Sequence, residues 1–147
     1  MRRVIGAFAV VVLMVSGCGK ENGMDLQERA EARAVEARGH IDQLARSVGT
    51  DLVVRQNSLT DCVPGQDDSG LDLVYTVHVT VEPGAADRLR GEIADRLAAE
   101  GWTVKQDPEH ESGLVSVRFQ KDTFTMGAKV SEADHWAAIG GSGGCVR

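Results

Sequence analysis

Alternating apolar and polar residues mark the clearest strand in the chain. Between positions 71 and 82 every second side chain is apolar: Leu71, Leu73, Tyr75, Val77, Val79 and Val81. A period of two places these side chains on one face, so the pattern predicts a strand that is buried on one side. The opposite face carries Thr76, His78 and Thr80 and is predicted to meet solvent.

Apolar residues that recur at steps of three and four predict two helices. The first covers 26–48, with Asp25 as its N-cap and Gly49 after its last turn. The second follows a Pro-Gly turn, carries its apolar stripe over 86–97 and ends at Gly101. The stripe of the first helix is narrow and rich in alanine, which favours packing on a sheet. Its heptad-like spacing leaves a coiled coil as the alternative.

Shorter patterns predict the remaining strands, at 52–59, 102–106, 115–119 and 124–130. A change of apolar parity near Asp122 indicates a turn or bulge between the last two of these. The pattern over 135–139 does not decide between a last short strand and a loop. The predicted fold class is α+β: an antiparallel sheet of four to five strands with two helices on one face, in the order α-β-β-α-β-β-β.

The first residues of the chain are typical of an export signal. A positive segment, Met1-Arg2-Arg3, precedes an apolar run over 4–15. Those twelve residues would span roughly 18 Å as a helix, whereas the hydrocarbon core of a membrane is ~30 Å thick. The run is therefore too short for a spanning helix and is interpreted as the apolar region of a signal peptide.

This export segment ends in Val15-Ser16-Gly17-Cys18, which resembles the bacterial lipobox, a run of small residues that ends in cysteine. The resemblance implies that the signal is cut before Cys18 and that acyl chains on this cysteine anchor the protein to membrane lipid. Residues 1–17 are then the signal peptide, 18–24 the lipidated cysteine with a short tether, and 25–147 a single α+β domain. That domain would stand on the outer side of the cell membrane. An ordinary signal peptide with an incidental cysteine is the alternative.

The lipobox and a bias towards alanine, arginine and glycine give the whole chain a wider resemblance. It is similar to small uncharacterised lipoproteins of GC-rich Gram-positive bacteria, a resemblance that implies a location and no activity.

Loss of Arg2 and Arg3 with the signal leaves 14 basic against 22 acidic residues, a net charge of about −8. This balance argues against nucleic acid as a partner, because binding to phosphates needs clustered Lys and Arg.

Two cysteines remain once Cys18 is assigned to lipid. Cys62 and Cys145 form an even pair in an exported chain, which predicts a disulfide. Two free thiols are the alternative, whereas a metal or redox pair lacks the usual C-x-x-C or histidine spacing. The bridge would tie down the glycine-rich segment 140–144, which we interpret as a flexible tail.

The candidate chemistry is sparse, and we predict no catalytic residue, metal or cofactor. His78, His110 and His135 could join a carboxylate around a metal, but no H-E-x-x-H spacing supports such a site. The aspartates of the loop at 62–70 lack the spacing of an EF-hand. The glycine run at 140–144 is not followed by a helix, so it makes no phosphate site at a helix terminus.

Together these observations predict a non-enzymatic binding or interaction domain at the cell envelope, with an envelope protein or a small ligand as its partner. The contact surface is predicted on the polar sheet face and the loops at 62–70 and 107–113, with His78, Arg118 and Trp136 as candidate residues. Trp136 has a second interpretation, as a cover for the edge of the core. The alternatives are a small envelope hydrolase of unrecognised class and a metal-binding lipoprotein.

Overall fold

The structure is a computed structural model, and it describes residues 25–147. The predicted signal peptide, the predicted lipidation at Cys18 and the predicted tether all fall on residues 1–24, outside the described residues. Within 25–147, no helix combines the length and the apolar character needed to cross a membrane.

Two helices and six strands follow one another along the described chain. Helix α1 is Leu26–Val48, and the strands are β1 Thr50–Asp61, β2 Leu71–Thr80, β3 Thr103–Gln106, β4 Val115–Lys121, β5 Phe124–Ser131 and β6 Trp136–Ser142. The second helix, α2, spans 85–99 between β2 and β3. It joins an α-helical turn Ala85–Arg88, a π-helical turn Leu89–Ile93 and an α-helical end Ala94–Ala99.

All six strands form one antiparallel sheet in the order β1-β2-β6-β5-β4-β3. The last strand of the chain, β6, lies in the middle, between β2 and β5. The prediction of four to five strands was wrong by one or two, and four strands rather than three follow the second helix. The α+β class, the antiparallel sheet and the pair of helices are confirmed.

The last strand, left open over 135–139, is present as β6, and it continues into the glycine-rich segment. Gly140 and Gly141 were interpreted as part of a flexible tail, but both belong to β6 and pair with β2 and β5. A side chain on Gly141 would place its Cβ 2.1 Å from the carbonyl oxygen of Thr125. The neighbouring backbone therefore requires a glycine there, although glycine is a poor strand former and hides the second half of the strand from sequence patterns.

One hydrophobic core fills the space between the two helices and the inner face of the sheet. Helix α1 contributes the predicted stripe, which is buried as Ala30, Ala34, Ala37, Ile41, Leu44, Ala45 and Val48. Its alanines let the helix lie close to the strands, so the stripe meets the sheet rather than a second helix of a coiled coil. The inner face supplies the completely buried Val77, Val117, Phe119, Val130 and Ile139. Burial of each such side chain stabilises the fold by about 1.5–3 kcal/mol.

The sheet has an exposed edge at β1. Val53 and Val54 are each 48% exposed there, and the register with β2 shifts twice between Thr50 and Gln56. Such bulges twist an edge strand and weaken its ability to pair with another chain.

The predicted turn near Asp122 is confirmed between β4 and β5, and Asp122 takes a positive φ of 53°.

The predicted disulfide between Cys62 and Cys145 is present, with 5.7 Å between the two Cα atoms. It joins the β1–β2 loop to the residues that follow β6. Beside it, Leu71 and Val146 exchange two backbone hydrogen bonds of 2.9 and 2.8 Å. The bridge therefore holds the end of the central strand rather than a flexible tail.

Helix α2 begins without a capping side chain of its own, because Gly84 occupies the N-cap position. Instead, the Oε1 atom of Glu132 accepts hydrogen bonds from the backbone N–H groups of Gly84 and Ala86, each at 2.9 Å. Glu132 lies in the turn between β5 and β6. Its carboxylate satisfies two free donors and stands at the positive end of the helix dipole.

Removal of the disulfide should destabilise the domain strongly. The bridge spans 83 residues, and the chain-entropy estimate for such a loop is roughly 4–5 kcal/mol as an upper bound. In urea unfolding, a Cys62→Ala/Cys145→Ala variant should unfold at a much lower midpoint than the oxidised wild type. Reductant should shift the wild type towards the variant and leave the variant unchanged. Equal midpoints for all samples would contradict the role given to the bridge.

Loss of the Glu132 cap should cost less, because the helix keeps its core contacts. A Glu132→Ala change should lower the free energy of unfolding by about 0.5–2 kcal/mol, as other lost caps do. Glu132→Gln keeps an oxygen acceptor and should cost less than alanine. The control is Glu92→Ala, which removes an exposed carboxylate from the same helix. If both alanine variants are equally stable, Glu132 does not act as a cap.

Candidate functional site

The candidate site is a concavity on the face of the sheet that carries no helix. Its volume is about 840 Å³, and side chains or backbone of five strands, β2 to β6, line it. Most of the lining residues occupy outward-facing positions of those strands, and the surface they present is more apolar than polar. This is the face that the sequence patterns predict to meet solvent.

Three small residues form the floor of this concavity: Gly127, Ala138 and Gly140. Gly127 and Gly140 pair directly across β5 and β6, so two adjacent positions lack a side chain. A Cβ on Gly140 would come within 3.0 Å of the Thr76 Oγ1, whereas one on Gly127 would meet nothing closer than 3.7 Å. The glycine at 127 is therefore not needed for packing, and its effect is to keep the floor open.

A row of five paired residues crosses the concavity from β2 to β3. Thr76 pairs with Gly140, Gly140 with Gly127, Gly127 with Arg118, and Arg118 with Lys105. Neighbouring strands lie about 4.8 Å apart, so four steps span about 19 Å. The row places a hydroxyl at one end, two glycines next to it, and two cations at the other end.

The charges in the concavity are mainly positive. Arg118 donates a hydrogen bond of 2.8 Å to Asp107, and this contact, more than any other, holds the pKa of Asp107 below its usual value. The other two cations are Lys105 and Lys129. Five ion pairs join side chains within residues 25–147, and none of them includes either lysine. Both ammonium groups are therefore available to a ligand.

The predicted contact residues divide into two places on the same face. Arg118 lines the concavity, whereas His78 and Trp136 stand beside it as a stacked pair, with 6.0 Å between ring centroids and 21° between ring planes. Val53 on the exposed edge strand pairs with His78 and extends this aromatic patch. Trp136 is half-buried and does not belong to the core cluster, so its interpretation as a core cover is not supported.

Sequence reasoning missed the residues that shape the concavity, namely its glycine floor and its two lysines. A glycine inside a strand pattern can indicate a site where another group approaches the backbone, and Gly127 gave that signal within 124–130. The lysines gave no signal, because Lys105 and Lys129 lie on strands that are not adjacent. Only the order of the strands brings them to one surface.

The three histidines considered as metal ligands lie in separate settings. His78 stacks on Trp136, the ring of His110 hydrogen-bonds to Ser112 at 2.9 Å, and His135 holds a positive φ in a turn. Among residues 25–147 no group of three or more His, Cys, Asp or Glu side chains is arranged to hold a metal ion.

Ser142 stands in a G-x-S-x-G spacing, from Gly140 to Gly144, which the prediction of no catalytic motif overlooked. In hydrolases this spacing forms a sharp turn between a strand and a helix. Here it ends β6 and leads to Cys145, with no helix after it. The Ser142 hydroxyl lies 2.7 Å from each carboxylate oxygen of Asp72 and accepts the N–H of Gly144. These contacts tie β6 to β2 and include no histidine.

Under the sheet, the single tyrosine of the chain makes the main buried polar contact with α1. The Tyr75 hydroxyl donates to Asp42 at 2.9 Å, and Tyr75 is 4% exposed. Burial, followed by the hydrogen bond and the charge of Asp42, raises the pKa of Tyr75 to about 12. The contact fixes α1 on β2, which leaves the opposite face of β2 for the concavity.

No protein-family model matches the chain, and no curated protein matches it. Among solved structures, the chain is similar to the crystal structure of a DUF4853 family protein from Actinomyces odontolyticus, with 18% sequence identity and a TM-score of 0.51. The match covers 80% of this chain and 65% of that protein, so the chain spans slightly less than two thirds of its length. At this identity the likeness concerns the fold alone. Actinomyces is a GC-rich Gram-positive genus.

The raised pKa of Tyr75 predicts a loss of stability at alkaline pH. The folded protein favours the neutral phenol, so this contribution is complete below pH 10 and is lost as the pH rises from 10 towards 12. Because the chain has one tyrosine, the near-ultraviolet absorbance of tyrosinate reports this group alone. Its midpoint should lie near 12 in the folded protein, or coincide with alkaline unfolding seen by circular dichroism, and near 10 in denaturant.

An Asp42→Asn variant serves as the matched control for this titration. It removes the charge that faces the phenol and keeps the size of the side chain, so the midpoint should fall only part of the way towards 10, since burial remains. A folded wild type that titrates at 10 would show that the phenol is open to solvent.

Proposed function

We propose that the chain is a lipid-anchored binding domain of the cell envelope, which holds its ligand or partner in the concavity on the helix-free face of the sheet. The observation that carries this proposal is the concavity itself. Its volume of about 840 Å³ lies in the range of ligand sites, roughly 300–1,000 Å³. Its lining is more apolar than polar, and it offers a ligand hydroxyl, side-chain amide and cationic groups above a glycine floor.

Two features support a location outside the cytoplasm. The lipobox-like segment ending at Cys18 would supply the anchor, and the six residues 19–24 would place the domain within roughly 20 Å of the membrane. The disulfide between Cys62 and Cys145 adds an independent argument, because such bonds persist mainly in oxidising compartments. An exported, anchored domain fits both features.

The chemistry of the concavity favours binding over hydrolysis. Its carboxylate is Asp107, whose pKa the neighbouring Arg118 guanidinium lowers. A general acid or base works best with a pKa near the working pH, so this shift goes in the wrong direction for catalysis at neutral pH. No histidine is among the residues that line the concavity, and His78 lies beside it on the aromatic patch.

Photo-crosslinking in cells tests which surface is used. A photoreactive residue in place of Gln120, which is exposed and lines the concavity, should form specific adducts in the envelope. The matched control replaces Val35, which is 61% exposed on α1. We expect adducts at position 120 and few at position 35. Adducts at position 35 alone, or none at either position, would refute the sheet face as the binding surface.

A further inference from the structure

The charges of the concavity identify the class of its ligand. Resting on the proposed function, we infer that the concavity binds a small anion that carries at least two phosphate or carboxylate groups. The chain as a whole has 22 acidic and 16 basic residues, yet the concavity is lined by three cations and one carboxylate. The local charge is therefore opposite to that of the whole chain.

The distribution of the lysines sharpens this contrast. The chain has four lysines, of which Lys105, Lys121 and Lys129 lie in the described residues, and two of these three line the concavity. The third, Lys121, donates to the backbone carbonyl of Glu100 at 2.8 Å, away from the concavity. Lys105 and Lys129 have no such partner within residues 25–147. The unpaired ammonium groups thus face the concavity.

The register places the three cations close enough to act on one ligand. Lys105 pairs with Arg118 across β3 and β4, and directly paired residues have Cβ atoms about 4.5–5.5 Å apart. Lys129 pairs with Ser116, two positions from Arg118, which gives a diagonal separation of about 7–8 Å. Arg118 is partly neutralised by Asp107, so a ligand with two or more negative groups matches the remaining charge best.

Hydroxyl groups complete the site. The backbone N–H groups of the floor face their neighbouring strands in the sheet, so side chains must supply the contacts to a ligand. Thr76, Ser116 and Thr125 line the concavity and can each donate to an anionic oxygen. The open floor at Gly127 lets the ligand lie close to the sheet between these hydroxyls and the cations.

The test is isothermal titration of the mature protein, purified from membranes in neutral detergent, with pyrophosphate and with citrate as probes. A Lys105→Gln/Lys129→Gln variant should bind at least one probe about tenfold more weakly than wild type, and wild-type binding should weaken as salt increases. The matched control, Lys121→Gln, should bind as wild type does. A preference for pyrophosphate would identify phosphate as the ligand group, and a preference for citrate would identify carboxylate.

A steric variant tests the position of the anion. Gly127→Val adds a side chain that fills the floor and whose Cβ would meet nothing closer than 3.7 Å, so it should also weaken binding about tenfold. Thr80→Val, an exposed position on the same face outside the concavity, should not. Circular dichroism confirms that the variants are folded. Binding that is equal in all folded variants, or absent in wild type, would overturn the inference.

Failure of this inference can be separated from failure of the proposed function. The Gln120 photo-crosslinker is placed in the Lys105→Gln/Lys129→Gln background. Loss of the envelope adduct there supports an anionic ligand. If the adduct persists at wild-type yield, the sheet face binds its ligand without these cations. That result refutes the inference of an anionic ligand but still supports the sheet face as the binding surface. No adduct in either background overturns both.

Discussion

The fold depends on the insertion of its last strand into the middle of the sheet. β6 pairs with β2 on one side and with β5 on the other, so it joins the first half of the chain to the second. Neither half has a continuous inner face without it, because Ala137 and Ile139 complete the core between β2 and β5. The close approach of β5 requires a glycine at 141. The disulfide at Cys145 holds the strand three residues beyond its end, and therefore acts on the centre of the sheet.

Local patterns predicted the elements that follow a regular period. Helix α1 begins after the Asp25 cap, whose carboxylate accepts the N–H of Glu28 at 2.8 Å, and β2 buries every second residue as expected. Only the first half of strand β6 could be considered from the sequence, as the open strand over 135–139, because the glycines at 140 and 141 remove both the apolar alternation and the propensity. No sequence pattern within 89–93 predicts the π-helical turn of α2, and one of its backbone carbonyls is bonded by a residue from another element. The Gln106 side chain donates to the carbonyl of Arg90 at 2.7 Å, a contact between distant residues.

The candidate site was predictable only in part, for the same reason. The polar face and Arg118 followed from alternation within single strands. The concavity required knowledge of which strands are neighbours, since its floor comes from β5 and β6 and its cations from β3, β4 and β5. His78 lies on the predicted face, and Trp136 stacks on it there, but the register sets both apart from the cations. They form an aromatic patch with Val53 rather than part of the charged concavity.

The two consecutive glycines of β6 link the fold to the proposed site. Side chains alternate between the faces of a strand, so Gly141 serves the inner contact with β5 while Gly140 opens the outer floor. The acidic balance of the chain does not oppose an anion at this floor. Charges separated by more than about 8 Å are largely screened at physiological salt, whereas the ligand would touch Lys105, Arg118 and Lys129 directly. Local cations, rather than net charge, therefore decide what the concavity can hold.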